Sequence, residues 1–268
     1  MPFHSIFLAA ADTPLLGRVD KASLSTQALM EIFVAGIKNR EVVCGSAEEP
    51  ADIDKWRGFE YCPEQDADVE GKQFNIDWSY LDLVGTIDLR WVPLSVLSLN
   101  INQNKLSGSL DLTALPPSMQ RVNLGFNAFS GKIDLCHLPA EIQVLDFSVN
   151  QLSGSLNLQK LPQSIITLYL EYNRFSGTVC LRHLPQSLQE LSVSNNELSG
   201  TVDLTRPPMG MKYLYLQKNN FKGKTDFSQL PENLRELDVS YTKLSGEIVV
   251  GNRTTYFNVD LSIVELIE

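Results

Sequence analysis

The sequence predicts an α/β repeat solenoid with a parallel β-sheet on its concave face, a mostly irregular, short-strand convex side, a helical cap before the coils and a strand cap after them. Two observations predict it. Asparagine recurs every 23 residues, at Asn104, Asn127, Asn150, Asn173, Asn196 and Asn219, and glycine recurs in the same step from Gly85 to Gly246. Apolar columns keep that register too: Leu145, Leu168, Leu191 and Leu214 precede Phe147, Leu170, Val193 and Leu216 by two positions. Spacing by two puts both members on one side of a short strand. A period this regular belongs to a solenoid, in which each coil buries its apolar side only against its neighbours.

Taken in order, residues 1–72 make the first cap. An apolar patch from Ile6 to Ala11 lacks the basic flank of a secretory signal, having only His4 before it. Ser23 or Ser25 caps a helix that apolar residues at spacings of three and four, including Leu29, Ile32, Phe33 and Ile37, carry to about Asn39. That helix covers the open side of the first coil. From Glu41 to Lys72 ten carboxylates face only Lys55, Arg57 and Lys72, so most of the formal charge of −10 sits there. The segment reads as a solvated acidic loop, or as a docking element for a basic partner.

Residues 73–250 hold eight coils. Seven of them carry a proline, from Pro93 to Pro231, which has a fixed φ and no donor and so turns the chain on the far side of the coil. The asparagine amides have enough donors and acceptors to join one coil to another, so the column predicts a buried hydrogen-bonded ladder. Around each asparagine the text reads LxxLxLxxNx[LF]SGx[LIV]DL, as from Leu188 to Leu204. This resembles the leucine-rich repeat signature. Trp56 to Cys62, a WxGxxxC run between the helix and the coils, resembles the amino-terminal cap of plant-type leucine-rich repeat proteins. GxLDL replaces the plant-type GxIP, and the LDLxxLPxSLxxL phrasing is similar to repeats of unicellular protists such as kinetoplastids. The resemblance implies the solenoid fold and the binding of a partner. Its cap would also pair Cys44 with Cys62, although two free thiols fit the same positions.

Residues 251–268 close the chain. Val259, Leu261, Ile263 and Val264 read as a last strand; a continued 23-residue count would turn Asp260 and Ser262 inward, so a one-residue slip is expected. Asn252 heads the single glycosylation sequon.

Catalytic patterns are missing from this text: there is no CxxC, HExxH, GxSxG or phosphate-binding glycine loop. His137 and His183 share one repeat position with no carboxylate or cysteine in reach, and Cys136 and Cys180 read as buried thiols too far apart to bridge. No catalytic, cofactor or metal site is expected, and an enzyme is disfavoured. Acidic charge without a basic stripe argues against nucleic acid, and no apolar run reaches the ~18 residues of a membrane span.

Function is therefore sought on the outward side of the inner strands. The early coils are small and polar there, whereas coils five to eight gather Tyr169, Glu171, Tyr172, Glu190, Tyr213, Tyr215, Glu236, Asp238 and Tyr241. Tyrosine on an exposed strand suits an interface, although it also has high strand propensity. The expectation is a non-enzymatic, cytoplasmic scaffold that binds a protein or peptide, preferably basic, through these residues. The alternative is a secreted or surface recognition protein with a Cys44–Cys62 bridge.

Overall fold

A computed structural model describes residues 20–62, 72–251 and 253–268. The apolar patch at 6–11, the acidic run at 64–70 and the sequon residue 252 lie outside them. The described chain winds as a solenoid with two sheets. The first has ten strands, from Phe59–Tyr61 through Phe74–Asp77 and then one strand per coil to Tyr256–Asn258. The second has nine, from Val84–Thr86 to Ile263–Ile267. Phe59–Tyr61 pairs antiparallel with Phe74–Asp77, and from there to Glu236–Asp238 the strands of the first sheet stack in parallel, as in Thr167 opposite Glu190, its partner 23 residues on.

Two parts of the expected class change. The coils contain no α-helix among the described residues; their helical segments are single 3-10 turns such as Leu89–Trp91 and Leu112–Ala114. The return segment is short and proline-broken, and each proline carbonyl accepts from the amide three residues on, as Pro185 does from Leu188 at 3.1 Å. A turn is all that fits. The second side, expected to be mostly irregular with short strands, has its short strands joined in one nine-stranded sheet running through the Ser-Gly column. There the glycines keep positive φ, as at Gly177 with +82°, and bring successive coils together.

Between the sheets lies one apolar core that runs the length of the solenoid, with Phe129, Phe147, Phe175 and Phe221 fully buried. Asparagine side chains bind its coils together. Asn127 donates to Ile101 O at 3.0 Å and Leu124 O at 3.2 Å, and its Oδ1 accepts from Leu106 N at 3.0 Å. Each asparagine from Asn104 to Asn219 reaches back to the coil before it in this way. The residue just before it adopts φ between +51° and +55° from Gln103 to Tyr241, whatever its type.

At the amino end the helix Thr26–Val34 starts at Ser25, whose side chain accepts from Ala28 N. It stops five residues short of Asn39. The open edge of the second sheet recruits the backbone beyond it: Thr86 N donates to Gly36 O and Lys38 N to Val84 O, while Ile37 bridges Gly85. Phe33 and Trp56 pack on Trp78, with ring centroids at 5.9 and 6.3 Å. Both indoles donate to backbone carbonyls, Trp56 to Ala51 O and Trp78 to Arg57 O. Aromatic bulk seals the first coil here without a disulfide, because all four cysteines are free.

The carboxyl end differs from the slip expected for it. Glu236 pairs with Tyr256, so this coil is 20 residues long, and Phe257 and Val259 turn inward where a 23-residue count would put Asp260 and Ser262. Thr242 and Ser262 replace asparagine. Each hydroxyl donates to a carbonyl of its own coil, Val239 O and Val259 O respectively, at 2.6 Å.

Candidate functional site

Counting coils from Phe74–Asp77, the concave faces of coils five to eight carry two hydroxyl–carboxylate pairs. The Tyr169 hydroxyl donates to Glu190 Oε2 in the next coil, and the Tyr215 hydroxyl donates to Glu236 Oε2 at 3.0 Å. Tyr213 stacks on Tyr215 with centroids 6.3 Å apart and planes 15° apart. Parallel pairing puts the phenol of one coil beside the glutamate of the next. Burial first, and then the hydrogen bond and charge of the glutamate, raise the pKa of Tyr169 and of Tyr215.

Glu171 lies half-buried on the floor of this face. Burial holds its carboxyl above the usual range; hydrogen bonds from its own backbone and from Ser192 oppose that, and the charge of Asp146 adds to it. Its Oε2 is enclosed and has no hydrogen-bond partner among the described residues, and the same holds for Oε1 of Gln217 two coils on. The ion pairs among the described residues are Lys55–Asp52, Arg90–Asp88, Lys105–Asp82 and His137–Asp134. None involves Glu171, Glu190 or Glu236, so the carboxylates of this face are uncompensated by ion pairing among the described residues.

Tyr172 and Tyr241 stand at the rim rather than on the sheet. Both have positive φ, both are 53% exposed, and Lys218 Nζ lies 5.6 Å from the centroid of the Tyr241 ring. Asp238 departs from the expectation of an open-face residue: it is only 8% exposed. The last concave strand, Tyr256–Asn258, covers it, and its carboxylate accepts from Ser240 N and Asn258 Nδ2. Sequence reasoning missed two residues. Gln217 is neutral and carries no charge signal, and Tyr256, 62% exposed and in register with Glu236, was hidden by the 20-residue coil.

The histidine and cysteine readings also change. His137 Nδ1 is 2.7 Å from Asp134 Oδ2, and Cys180 Sγ is 3.8 Å from His183 Nδ1. Cys136 and Cys180 are only partly buried. In both pairs the chain turns and brings residues three apart together, a geometry that an extended reading of the segment hides. Among the described residues no group of three or more His, Cys, Asp or Glu side chains is arranged to hold a metal, and no helix is long and apolar enough to cross a membrane.

No protein-family model matches the chain, and no curated protein matches it. Solved structures do. The PEPR1–AtPEP1 structure aligns with 90% of this chain and 42% of its own, at 19% identity and a TM-score of 0.62. The Arabidopsis receptor kinase HAESA, in complex with the peptide hormone IDA and the co-receptor SERK1, aligns with 62% of this chain and 29% of its own at 26% identity and a TM-score of 0.49. YopM from Yersinia enterocolitica WA-314 covers 66% of this chain and 39% of its own, at 25% identity and a TM-score of 0.45. The chain spans less than half the length of each. The first overlap is a likeness of fold, and with the repeat columns it shows that the fold of this chain is a leucine-rich repeat solenoid.

Proposed function

We propose that the protein is a non-enzymatic interaction scaffold that binds a protein or peptide on the concave face of coils five to eight. The observation that carries this is the pairing of stacked and hydrogen-bonded tyrosines, on a parallel sheet, with glutamates that enter no ion pair among the described residues. Aromatic bodies with polar tips, held by a scaffold that pays little ordering entropy on binding, are the usual anchors of an interface. The HAESA structure holds a peptide hormone and a co-receptor; in this chain the reading stands on the face itself. Tyr169, Glu171, Glu190, Tyr213, Tyr215 and Glu236 make the contact surface, with Tyr172 and Tyr241 at its rim. Asp238 supports the last coil from beneath.

The scaffold is read as cytoplasmic with Cys44 and Cys62 as thiols; a bridge between them, found by non-reducing mass spectrometry, would move the reading to the secreted alternative. A native pull-down that compares wild type with a Tyr169→Ala, Tyr213→Ala, Tyr215→Ala variant tests the face. Loss of a partner, with the melting curve preserved, supports the proposal. Undiminished capture of the same partner rejects it.

A further inference from the structure

The two tyrosine–glutamate pairs are one arrangement repeated. Tyr215 stands 46 residues after Tyr169, Gln217 after Glu171 and Glu236 after Glu190, so every member moves by two coils. In both copies the phenol donates to Oε2 of the glutamate and fixes that carboxylate on the face. In both copies the residue two after the tyrosine presents an enclosed acceptor oxygen with no partner among the described residues. Asn102 has such an oxygen in the same column without a tyrosine–glutamate pair, so what repeats at Glu171 and Gln217 is the oxygen together with the pair, and the two copies form two related subsites.

From this we infer that the face binds a cationic peptide in polyproline II conformation, with arginine or lysine side chains three residues apart, one in each subsite. The inference rests on the concave-face reading above and names the partner's chemistry. Donor supply decides the ligand class. The phenol protons already serve glutamates and the two carboxylates they fix can only accept, so an occupant must bring donors; Glu171 Oε2 and Gln217 Oε1, enclosed beneath them, add unmatched acceptor charge below each subsite. Guanidinium brings five and ammonium three, each with a positive charge to match carboxylates that enter no ion pair among the described residues. The raised Glu171 carboxyl agrees, because a cation in contact would favour its charged form.

Spacing decides the backbone. Neighbouring strands lie about 4.8 Å apart, so two coils separate the subsites by roughly 9.6 Å. A polyproline II chain rises about 3.1 Å per residue with three residues per turn, which returns a side chain to the same side after about 9.3 Å. In a β-strand the same-side interval is roughly 6.7 Å, which fits neither one coil nor two. Three-residue spacing is the match.

The test selects a random nine-residue phage library on the immobilised 268-residue chain, then measures resynthesised fluorescein-labelled peptides by polarisation. The expected consensus is a basic residue, two variable positions and a second basic residue. Moving the two basic residues to adjacent-but-one positions should weaken binding about tenfold with no change in the protein, and Glu171→Gln should weaken it about tenfold in a protein that melts no lower than wild type. Glu49→Gln, in the amino-terminal acidic segment, should leave it unchanged. Peptides without basic residues that are lost with the three tyrosine substitutions would overturn the cationic inference and leave the concave reading standing. Basic peptides indifferent to spacing or to Glu171→Gln also overturn it. Peptides indifferent to the three tyrosines, or an empty selection, overturn both.

Discussion

Val149 is a β-branched residue held at a φ of +51° just before Asn150, where L-residues pay roughly 1–2 kcal/mol. Asn195 fills the same place two coils on, and asparagine tolerates that region far better. Val149→Asn is therefore expected to stabilise the protein by about 1 kcal/mol, seen as a rise of roughly 2–4 °C in a thermal melt. An unchanged or lower midpoint would count against backbone strain there. Glu171 supplies a second test at this scale. Its carboxyl pKa is raised on folding, chiefly by burial, so the native state binds the proton more tightly than the unfolded chain. Stability due to this group is then full below the ordinary carboxylate pKa and declines as pH rises toward the folded value. Glu171→Gln removes that loss: the variant should melt above wild type at pH 7, and the gap should close as pH falls toward 3. A gap that widens in acid would refute the assignment.

At the scale of elements, the amino-terminal cap depends on contact too close for a side chain. Gly58 has a φ of +65°, and a Cβ built on it would lie 1.8 Å from the carbonyl oxygen of Asp77. Gly58→Ala must push Phe59–Tyr61 away from Phe74–Asp77, at a cost of about 3 kcal/mol. Hydrogen exchange should then show faster exchange at Asp77 N, which donates to Gly58 O, with coils four to seven unaffected. The elements of the coils were legible because each column repeats six times or more, so chance agreement in one coil is corrected by the next. The caps were harder to read, since each occurs once. The helix end at Val34 depends on a sheet edge contributed by Val84–Thr86, and the strand at Tyr256 depends on a coil three residues short. The concave tyrosines could be placed from register alone. The enclosed oxygen of Gln217 and the cover over Asp238 could not, because both depend on side-chain packing that a linear count does not contain.

For the whole molecule, near-identical coils that touch only their neighbours make stability a sum of coil and interface terms. Removing residues 121–143 joins Gln120 to Val144, which occupies the same register as Arg121. The shortened chain should fold cooperatively, melt somewhat lower and keep the tyrosine face, as circular dichroism and peptide binding would report. Removal of 20 residues from the same place should instead leave an aggregating product, since it misaligns every later column. The backward reach of the asparagines adds a directional rule. Asn173 donates to Phe147 O and its Oδ1 accepts from Leu152 N, so its partners are already in the chain when it is made, and the same holds for Asn196 and Asn219. On a ribosome that adds about 5–20 residues per second, a new coil emerges every few seconds onto a finished template. Synthesis and folding can thus proceed at one pace, in one direction, with a single unfinished rung exposed at a time.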